Sequence, residues 1–589
     1  MRYLRKIALI VCLCAVCFTG WAEKVTVEQA SQAASRFFTA CSPSTKSSSL
    51  KMRLVGTSES VATKSGGDPT YYVFQPENGI GFVIMAAETG VRPIIGYSPT
   101  GYVSDGEMPE NLVWWLGEVD RQIRDFWNSG ATASPQTQAM WSNIATKATE
   151  VVEIETAIWG QNAPFNAQCP MGRSKQTVAG CNATATAIVM RYYKWPKSGK
   201  GKTAAYSCID GDYTIRVPER DLEHTYDWDN MPLDYNGVLG DKQVNAVATL
   251  IADLGAAFML SYGESSTSAA FDREVMHRNF SYSPSLRRFD RDDYDDEVWA
   301  NIMRNELSQY RPFLYRGEKS SGHIFVVDGY NDQKMFRINW GWTGSYNGYY
   351  SFDDLRPGSH DYSEKQMAYL NMVPETDSER VVDHLVTRAP GITVSTKAFE
   401  KGVEFKIDTL RVYNATAVAF KGLICVAHTD RNGNVKEWVS DEKERIENPI
   451  STGTIVTYTK LKCVLKEEID YGDRLMAFYR EEGSDKWYQI KSQDKGCYSE
   501  VLLADEFDIA ASTSFKYNRL EDKIRLDVKN GVTGRLFDAS GAEKASAVVV
   551  TEKSIIIDTA ALPLGEYKIV LTKDADSKEV RFSINKLEL

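Results

Sequence analysis

The chain has 589 residues, too many for one hydrophobic core, and this length predicts about three to five domains. Hydrophobic residues make up 43% of the sequence and charged residues 25%, as in ordinary globular proteins. The formal net charge of −11 argues against a nucleic-acid partner and against binding to an anionic membrane, because both need a basic protein surface.

The first 22 residues have the three-part pattern of a secretory signal peptide. A basic stretch over 1–6 precedes an apolar stretch over 7–18, and Gly20 and Ala22 supply small residues at the cleavage positions. The apolar stretch is short for a bilayer span, so a retained anchor is the weaker interpretation. We expect residues 1–22 to be removed on export, which leaves a secreted or surface protein with no transmembrane span.

Seven cysteines follow the predicted signal peptide. They are Cys41, Cys169, Cys181, Cys208, Cys425, Cys463 and Cys497. So few cysteines, in an odd number, do not form a disulfide framework in an exported chain of this length. No CxxC spacing occurs among these seven and no HxxxH spacing occurs in the chain, which argues against a zinc site. We therefore expect no metal and consider one cysteine a candidate reactive thiol.

Residues 23–147 predict a first unit that mixes helices and strands. Residues 25–40 have helical periodicity, two strand-like runs lie between residues 71 and 85, and residues 112–127 form an amphipathic pattern. Residues 128–140 are rich in Ser, Ala, Thr and Gln, which predicts an exposed linker open to proteolysis.

The rest of the chain divides by its character. Residues 148–374 mix helices and strands and contain the chemical motifs described below. Beyond residue 374, short alternating strands recur between Gly, Asn and Asp turns, which predicts β-sandwich modules. A boundary near residues 504–507 separates a module over 375–505 from a C-terminal Ig-like module over 506–589.

The sequence GCNATATAIVMRYY predicts a buried helix that begins at Cys181. Pro196 disfavours helix in the residue before it and so ends the helix. Free N–H groups and the helix dipole favour negative charge at the N-terminus, which lowers a thiol pKa and produces an attacking thiolate. The alternative is a buried cysteine that serves as a small apolar side chain, and this segment alone does not decide between the two.

A histidine and an asparagine can complete a nucleophilic site. His323 begins an apolar strand after Gly322, and Asn339 follows 16 residues later, a spacing that suits two paired strands. In a Cys–His–Asn arrangement the amide orients the imidazole, and Trp340 or Trp342 can shield that hydrogen bond from water. A core histidine is the plain alternative for this residue taken alone.

Gln161 precedes Cys181 by 20 residues, and its side-chain amide can donate to an oxyanion beside the Cys181 backbone N–H. A lone glutamine is otherwise an ordinary surface residue.

Six motifs in order across residues 158–372 resemble the streptopain family of papain-like cysteine proteases. They are WGQNAPFN, GCNATATAIVMRYY, YDWDNMP, LSYGESSTSAA, GHIFVVDGY and INWGW.

The resemblance implies an α+β chain with a papain-like catalytic domain over 148–374. Residues 23–147 resemble the family's inhibitory α+β pro-domain, and the β-sandwich modules follow the catalytic domain. The last module resembles C-terminal sorting domains of exported proteins, although its final residues depart from that pattern.

The resemblance assigns roles to eight residues, position by position. They are Cys181 as nucleophile, His323 as general base and acid, Gln161 as oxyanion donor, Asn339 as orienting residue, Trp340 and Trp342 as the tryptophans beside it, and Ser268 and Gly322, with Trp342, against the substrate. Glu264, in a loop expected to line the substrate groove, would shift the cleavage preference toward basic residues.

We therefore expect a secreted cysteine endopeptidase made as a zymogen, without cofactor, that acts on proteins and peptides. By resemblance, its substrates carry a bulky apolar residue just before the residue at the cut. Its own pro-domain is the expected inhibitor, released by cleavage between residues 129 and 152, for which Lys147 is a candidate. Two alternatives stay open: a transglutaminase-like acyltransferase that uses the same Cys–His pair, and a surface-binding protein with an inert enzyme-like domain.

Overall fold

The structure is a computed structural model that describes most of the chain. The described residues are 22–41, 50–61, 67–77, 79–103, 108–145, 148, 151–237, 240–268, 270–318, 322–352, 365–376, 381–396, 399–430, 432–470, 473–493, 497–503, 515–518, 523–528, 531–551, 554–560, 562–563, 565–573 and 576–584. Almost all of the predicted signal peptide and the candidate cleavage residue Lys147 lie outside them.

The described part of the chain has eight α-helices and thirty strands. The helices are α1 (Val27–Cys41), α2 (Ser58–Val61), α3 (Glu110–Ser129), α4 (Pro135–Ser142), α5 (Cys181–Tyr193), α6 (Asp241–Ala257), α7 (Arg273–Phe280) and α8 (Asp296–Ser308). The strands up to residue 376 are β1 (Met52–Thr57), β2 (Tyr71–Pro76), β3 (Phe82–Ala86), β4 (Ile94–Ser98), β5 (Val151–Glu153), β6 (Tyr206–Asp210), β7 (Tyr213–Val217), β8 (Arg287–Asp290), β9 (Phe313–Glu318), β10 (Gly322–Asn331), β11 (Met335–Asn339), β12 (Gly348–Ser351) and β13 (Lys365–Leu370).

The later strands lie beyond residue 380. They are β14 (Leu385–Thr393), β15 (Glu404–Asn414), β16 (Gly422–Thr429), β17 (Val435–Trp438), β18 (Lys443–Glu444), β19 (Ile455–Val464), β20 (Arg474–Glu481), β21 (Tyr488–Gln489), β22 (Lys491–Ser492), β23 (Glu500–Leu502), β24 (Phe515–Asn518), β25 (Lys523–Asp527), β26 (Thr533–Asp538), β27 (Val548–Val550), β28 (Ser554–Asp558), β29 (Gly565–Lys573) and β30 (Asp576–Ile584). The chain is thus mixed α and β, with many more strands than helices.

Two compact units make up the structure, and the chain passes between them more than once. The first contains Met1–Val151, Tyr330–Trp340 and Gly344–Asp361. The second contains the remaining residues, including the short return Gly341–Thr343. The sequence predicts one boundary near residue 147, whereas the structure adds two later segments to the first unit.

The first unit has an antiparallel sheet in the order β1-β2-β3-β4-β12-β11. Strands β2 to β4 are buried along their whole length, and β2 and β3 coincide with the two predicted strand-like runs. Gly96 on β4 pairs with Tyr350 on β12, and a Cβ at Gly96 would lie 2.5 Å from the Tyr350 ring. Helices α1 and α3 follow the predicted amphipathic patterns, and the edge of the Phe37 ring on α1 contacts Tyr97 at 4.8 Å between ring centres.

The predicted linker over 128–140 contains regular structure. Helix α3 ends at Ser129, and α4 begins six residues later. The Ser134 hydroxyl accepts a hydrogen bond from the Thr137 N–H at 3.1 Å, and Pro135 occupies the first helical position. Ser followed by Pro is a helix-start signal that the composition of this stretch obscures.

The second unit builds its first core around α5. Every residue of α5 from Asn182 to Met190 is buried, as its small and apolar side chains predict. The core also includes apolar residues of α6 and of the strands β9, β10 and β13. These three strands and β8 pair in the order β10-β9-β13-β8. Helix α5 packs against β9, so its N-terminus and the start of β10 belong to one core.

The region beyond residue 380 contains sheets that share cores in pairs. Sheets β19-β15-β14-β22 and β17-β16-β20-β21 enclose one core, which includes Leu410, Val426 and Leu475. Sheets β24-β25-β28-β27 and β26-β29-β30 enclose another, which includes Ile555 and Ile569. The described residues of this region form no α-helix, in agreement with the short alternating strands predicted there.

Candidate active site

Cys181 is the first residue of α5. Gly180, immediately before it, has a positive φ of 85°, a conformation that glycine adopts without a steric penalty. The helix ends at Tyr193, and Lys194 caps it in the left-handed region, two residues before Pro196. Cys181 is partly buried at the N-terminal end of the helix, where the helix dipole favours negative charge.

The segment with Gln161 is bonded to the approach to α5. The Ala179 N–H donates to the Gln161 carbonyl oxygen at 2.9 Å. Two residues earlier, the fully buried Trp159 donates from its indole N–H to the Pro232 carbonyl at 2.9 Å, and the Trp159 carbonyl accepts from the Thr343 N–H at 2.9 Å. Gln161 is therefore hydrogen-bonded through its main chain to the residue two positions before Cys181, and its side chain is partly exposed.

Ser268 lies at the end of a loop over residues 261–268. Its N–H and carbonyl pair with Ser261 in an antiparallel bridge, with N–O distances of 3.1 and 2.9 Å, and its side chain is exposed. The Gly263 carbonyl in the same loop accepts from the Val178 N–H at 3.1 Å. This loop therefore lies on the same approach to Cys181 as Gln161.

The Glu264 carboxylate in this loop is occupied by hydrogen bonds. It accepts from the Ser174 N–H, from the Ser174 hydroxyl at 2.9 Å and from the Lys175 N–H at 3.1 Å. These donors, the Ser174 N–H first, lower the pKa of Glu264. The carboxylate thus ties two loops together, a role that the sequence alone does not indicate.

His323 is the second residue of β10, after Gly322, and it is partly buried. On the neighbouring strand β9, Gly317 is its register partner and Arg316 is paired with Ile324. Burial lowers the pKa of His323, and the positive charge of Arg316 lowers it further. Cys181 packs against the core cluster that contains Ile324, the residue after His323 on β10.

Asn339 and Trp340 belong to the first unit. Asn339 ends β11, and both residues are buried. The Asn111 side-chain amide on α3 donates to the Trp340 carbonyl at 2.7 Å, and the rings of Trp115 and Trp340 lie 6.5 Å apart. Trp342, in contrast, belongs to the second unit and is partly buried. The predicted site residues are therefore divided, with Asn339 and Trp340 in one unit and the other six in the other.

Sequence reasoning missed three residues of interest. Asn111 and Arg316 have no motif of their own, because each acts on a residue distant in sequence or across a strand pair. Thr267 lies within the LSYGESSTSAA motif, but the sequence assigned it no role.

Among the described residues no group of three or more His, Cys, Asp and Glu could hold a metal ion. None of the helices in the described part of the chain has the length and apolar character needed to cross a bilayer.

The predicted site residues lie in a region of the chain that matches a known protein family. Residues 159–350 match the Peptidase C10 family, and residues 22–123 match the Spi protease inhibitor family. The chain is 30% identical over 385 residues to the thiol protease/hemagglutinin PrtT of Porphyromonas gingivalis, a match that covers 63% of this chain and 43% of the relative. It is 28% identical over 305 residues to streptopain of Streptococcus pyogenes, covering 49% of this chain and 75% of streptopain.

Among solved structures, a fragment of prointerpain A from Prevotella intermedia is 27% identical, with a TM-score of 0.45. The similarity covers 56% of this chain and 100% of that fragment. The chain spans less than half the length of PrtT.

Proposed function

We propose that this chain is a member of the Peptidase C10, or streptopain, family and a cysteine endopeptidase produced as a zymogen. The observation that carries the proposal is the setting of Cys181. This cysteine begins a buried helix, and main-chain hydrogen bonds tie its approach to the Gln161 segment and to the Ser268 loop. A partly exposed thiol at a helix N-terminus, beside an amide donor, suits nucleophilic attack on a peptide carbonyl.

In the proposed reaction the Cys181 thiolate adds to the carbonyl carbon, and His323 carries the proton. The Gln161 amide and the Cys181 N–H donate to the oxyanion. His323 then protonates the departing amine, and water hydrolyses the thioester to release the acid and regenerate the thiol. Asn339 orients the imidazole, Trp340 and Trp342 shield it, and Ser268 and Gly322 bind the substrate backbone. Protein and peptide substrates with a bulky apolar residue before the residue at the cut follow from the family.

The N-terminal domain is the proposed inhibitor. Its match to the Spi protease inhibitor family supports this role, as does the hydrogen bond from Asn111 to the Trp340 carbonyl. Cleavage between residues 129 and 152 would cut the covalent link between it and the catalytic domain. Adding a thiol-alkylating agent to the purified precursor tests self-activation, because processing that continues unchanged in the alkylated sample would exclude it.

We further propose that the protein is exported and that the region beyond residue 374 consists of β-sandwich modules. The signal-peptide pattern over 1–22 supports export. The two pairs of sheets with shared cores support the modules, which would serve stability or adhesion or, for the last one, sorting.

The decisive experiment compares wild-type protein with Cys181→Ala and with Cys41→Ala, a control in α1. We expect casein cleavage and covalent labelling by an active-site-directed epoxide in wild type and Cys41→Ala, and neither in Cys181→Ala. Amine incorporation without peptide cleavage would instead indicate an acyltransferase. Failure of the epoxide to label wild-type Cys181 would indicate an inert domain in a surface-binding protein.

A further inference from the structure

The side chain of Thr267 forms hydrogen bonds where the Ser268 loop meets the segment that leads to Cys181. Its hydroxyl donates to the Val178 carbonyl at 2.8 Å and accepts from the Gly263 N–H at 3.2 Å. Thr267 is buried, so neither bond is readily replaced by water. One hydroxyl thus joins the loop to a residue three positions before Cys181.

The methyl group of Thr267 occupies the space beside Gly180. A Cβ at Gly180 would lie 2.8 Å from the Thr267 Cγ2, closer than two non-bonded carbon atoms approach in proteins. Gly180 therefore serves two purposes, since it adopts a positive φ and also leaves room for this methyl. The carbon atoms of Thr267 lie beside the residue directly before the nucleophile, and its oxygen is hydrogen-bonded to the segment that leads to α5.

Thr267 also lies next to Ser268 in the chain. The Ser268 backbone is paired with Ser261, so a shift of Thr267 moves the whole loop rather than one side chain. The Val178 N–H bond to Gly263 continues the same connection. The loop and the approach to α5 therefore share two hydrogen bonds, one of which uses the Thr267 hydroxyl, and the same hydroxyl accepts a third bond from within the loop.

From this geometry we propose that Thr267 is a positioning residue that sets the separation between the Cys181 sulfur and the backbone of a substrate bound along Ser268. The proposal rests on the proposed endopeptidase function. Misplacement of a reacting carbonyl by about 1 Å can cost about 10²-fold in rate, so a small shift of this loop matters more for cleavage than for folding.

The test compares Thr267→Val, which keeps the branched shape and loses the hydroxyl, with Thr267→Ser, which keeps the hydroxyl and loses the methyl. Each full-length precursor is matured by tagged wild-type enzyme that is then removed, and competent sites are counted by epoxide titration. In Thr267→Val we expect kcat/KM for peptides to fall about tenfold or more, mainly through kcat, because two buried hydrogen bonds are lost. Alkylation of Cys181 by iodoacetamide, which does not use the loop, should stay within about twofold of wild type, and Thr267→Ser should retain most of the peptide activity.

Three results would overturn the inference while leaving the proposed function intact. They are peptide cleavage by Thr267→Val at the wild-type rate, an equal loss of alkylation and cleavage, and a Thr267→Ser enzyme as defective as Thr267→Val. If Thr267→Val yields no titratable sites, the comparison of kcat/KM between Thr267→Ser and wild type tests the inference instead. A wild-type enzyme that cleaves nothing would overturn the proposed function and this inference with it.

Discussion

The surroundings of Cys181 and those of Trp340 are built in different ways. Around Cys181, main-chain groups make the connections, as in the bond from the Ala179 N–H to the Gln161 carbonyl and in the positive φ of Gly180. Around Trp340, side chains of the first unit make them, through the Asn111 amide and the Trp115 ring. Backbone connections survive most substitutions, whereas the Trp340 surroundings depend on particular side chains from residues more than 220 positions earlier.

The largest effect is expected at Trp115. This buried side chain contacts Tyr350 edge-on at 5.1 Å between ring centres and lies near Trp340. Trp115→Ala should lower the free energy of unfolding of the first unit by about 3–5 kcal/mol, because it leaves a large cavity. Urea unfolding in the Cys181→Ala background, which prevents self-cleavage, measures this. Trp115→Phe is the matched variant and should lose clearly less, and equal stability of all three proteins would contradict the side-chain account.

The backbone account is tested at Gly180. Gly180→Ala should reduce kcat/KM by about 10²-fold, because the new Cβ strains the positive φ and meets the Thr267 methyl, which displaces Cys181. Gly211→Ala is the control, since Gly211, between β6 and β7, also has a positive φ, of 62°, but a Cβ there would meet nothing within 4 Å. Peptide hydrolysis by epoxide-titrated enzyme is the measurement, and equal losses in both variants would show that strain alone is responsible.

At Asn111 the expected effect is smaller. Asn111→Leu removes the donor to the Trp340 carbonyl and should cost about 1–3 kcal/mol of unfolding free energy, because a buried acceptor loses its partner. Asn111→Asp replaces the donor with a carboxylate oxygen facing that carbonyl and should cost more. The same urea unfolding assay ranks the variants, and a fully stable Asn111→Asp protein would show that this bond does not contribute.

The smallest effect concerns the pH response of His323. Arg316→Gln should raise the pKa of His323 toward its ordinary value of about 6.5, because it removes one of the two causes that lower the pKa. In wild type the unfolded chain binds this proton more readily than the folded chain, so stability falls as the pH drops through about 6.5. Arg316→Gln should make that fall shallower. NMR titration of the imidazole in Cys181→Ala protein measures the pKa, and an unchanged or lower value would contradict the assigned cause.

Much of the Cys181 surroundings could be predicted because short-range signals encode them. Small residues after Gly180 and the later Pro196 define α5, and a run of apolar residues defines β10 with His323 near its start. The pro-domain and catalytic families were likewise recognisable from ordered motifs and were confirmed by the family matches.

The remaining features depend on contacts between distant residues. The sequence near Trp340 does not indicate that Tyr330–Trp340 joins the first unit, because the partner Asn111 carries no motif. Glu264 was expected to lie in a loop that lines the substrate groove, and this stays a prediction. The hydrogen bonds that its carboxylate accepts from Ser174 and Lys175 could not be predicted, because only the fold brings these residues near. Helix α4 was missed because a polar composition outweighed its Ser-Pro start.

The pairing of β4 with β12 has a consequence for release of the inhibitor. The proposed cleavage lies after β4, yet Tyr97 on β4 stays paired with Tyr349 on β12, and their rings stack at 5.3 Å. A severed N-terminal fragment would therefore remain bound as a non-covalent complex. Its departure would leave unpaired N–H and C=O groups and tyrosine faces on β12, a surface prone to aggregation unless another segment covers it.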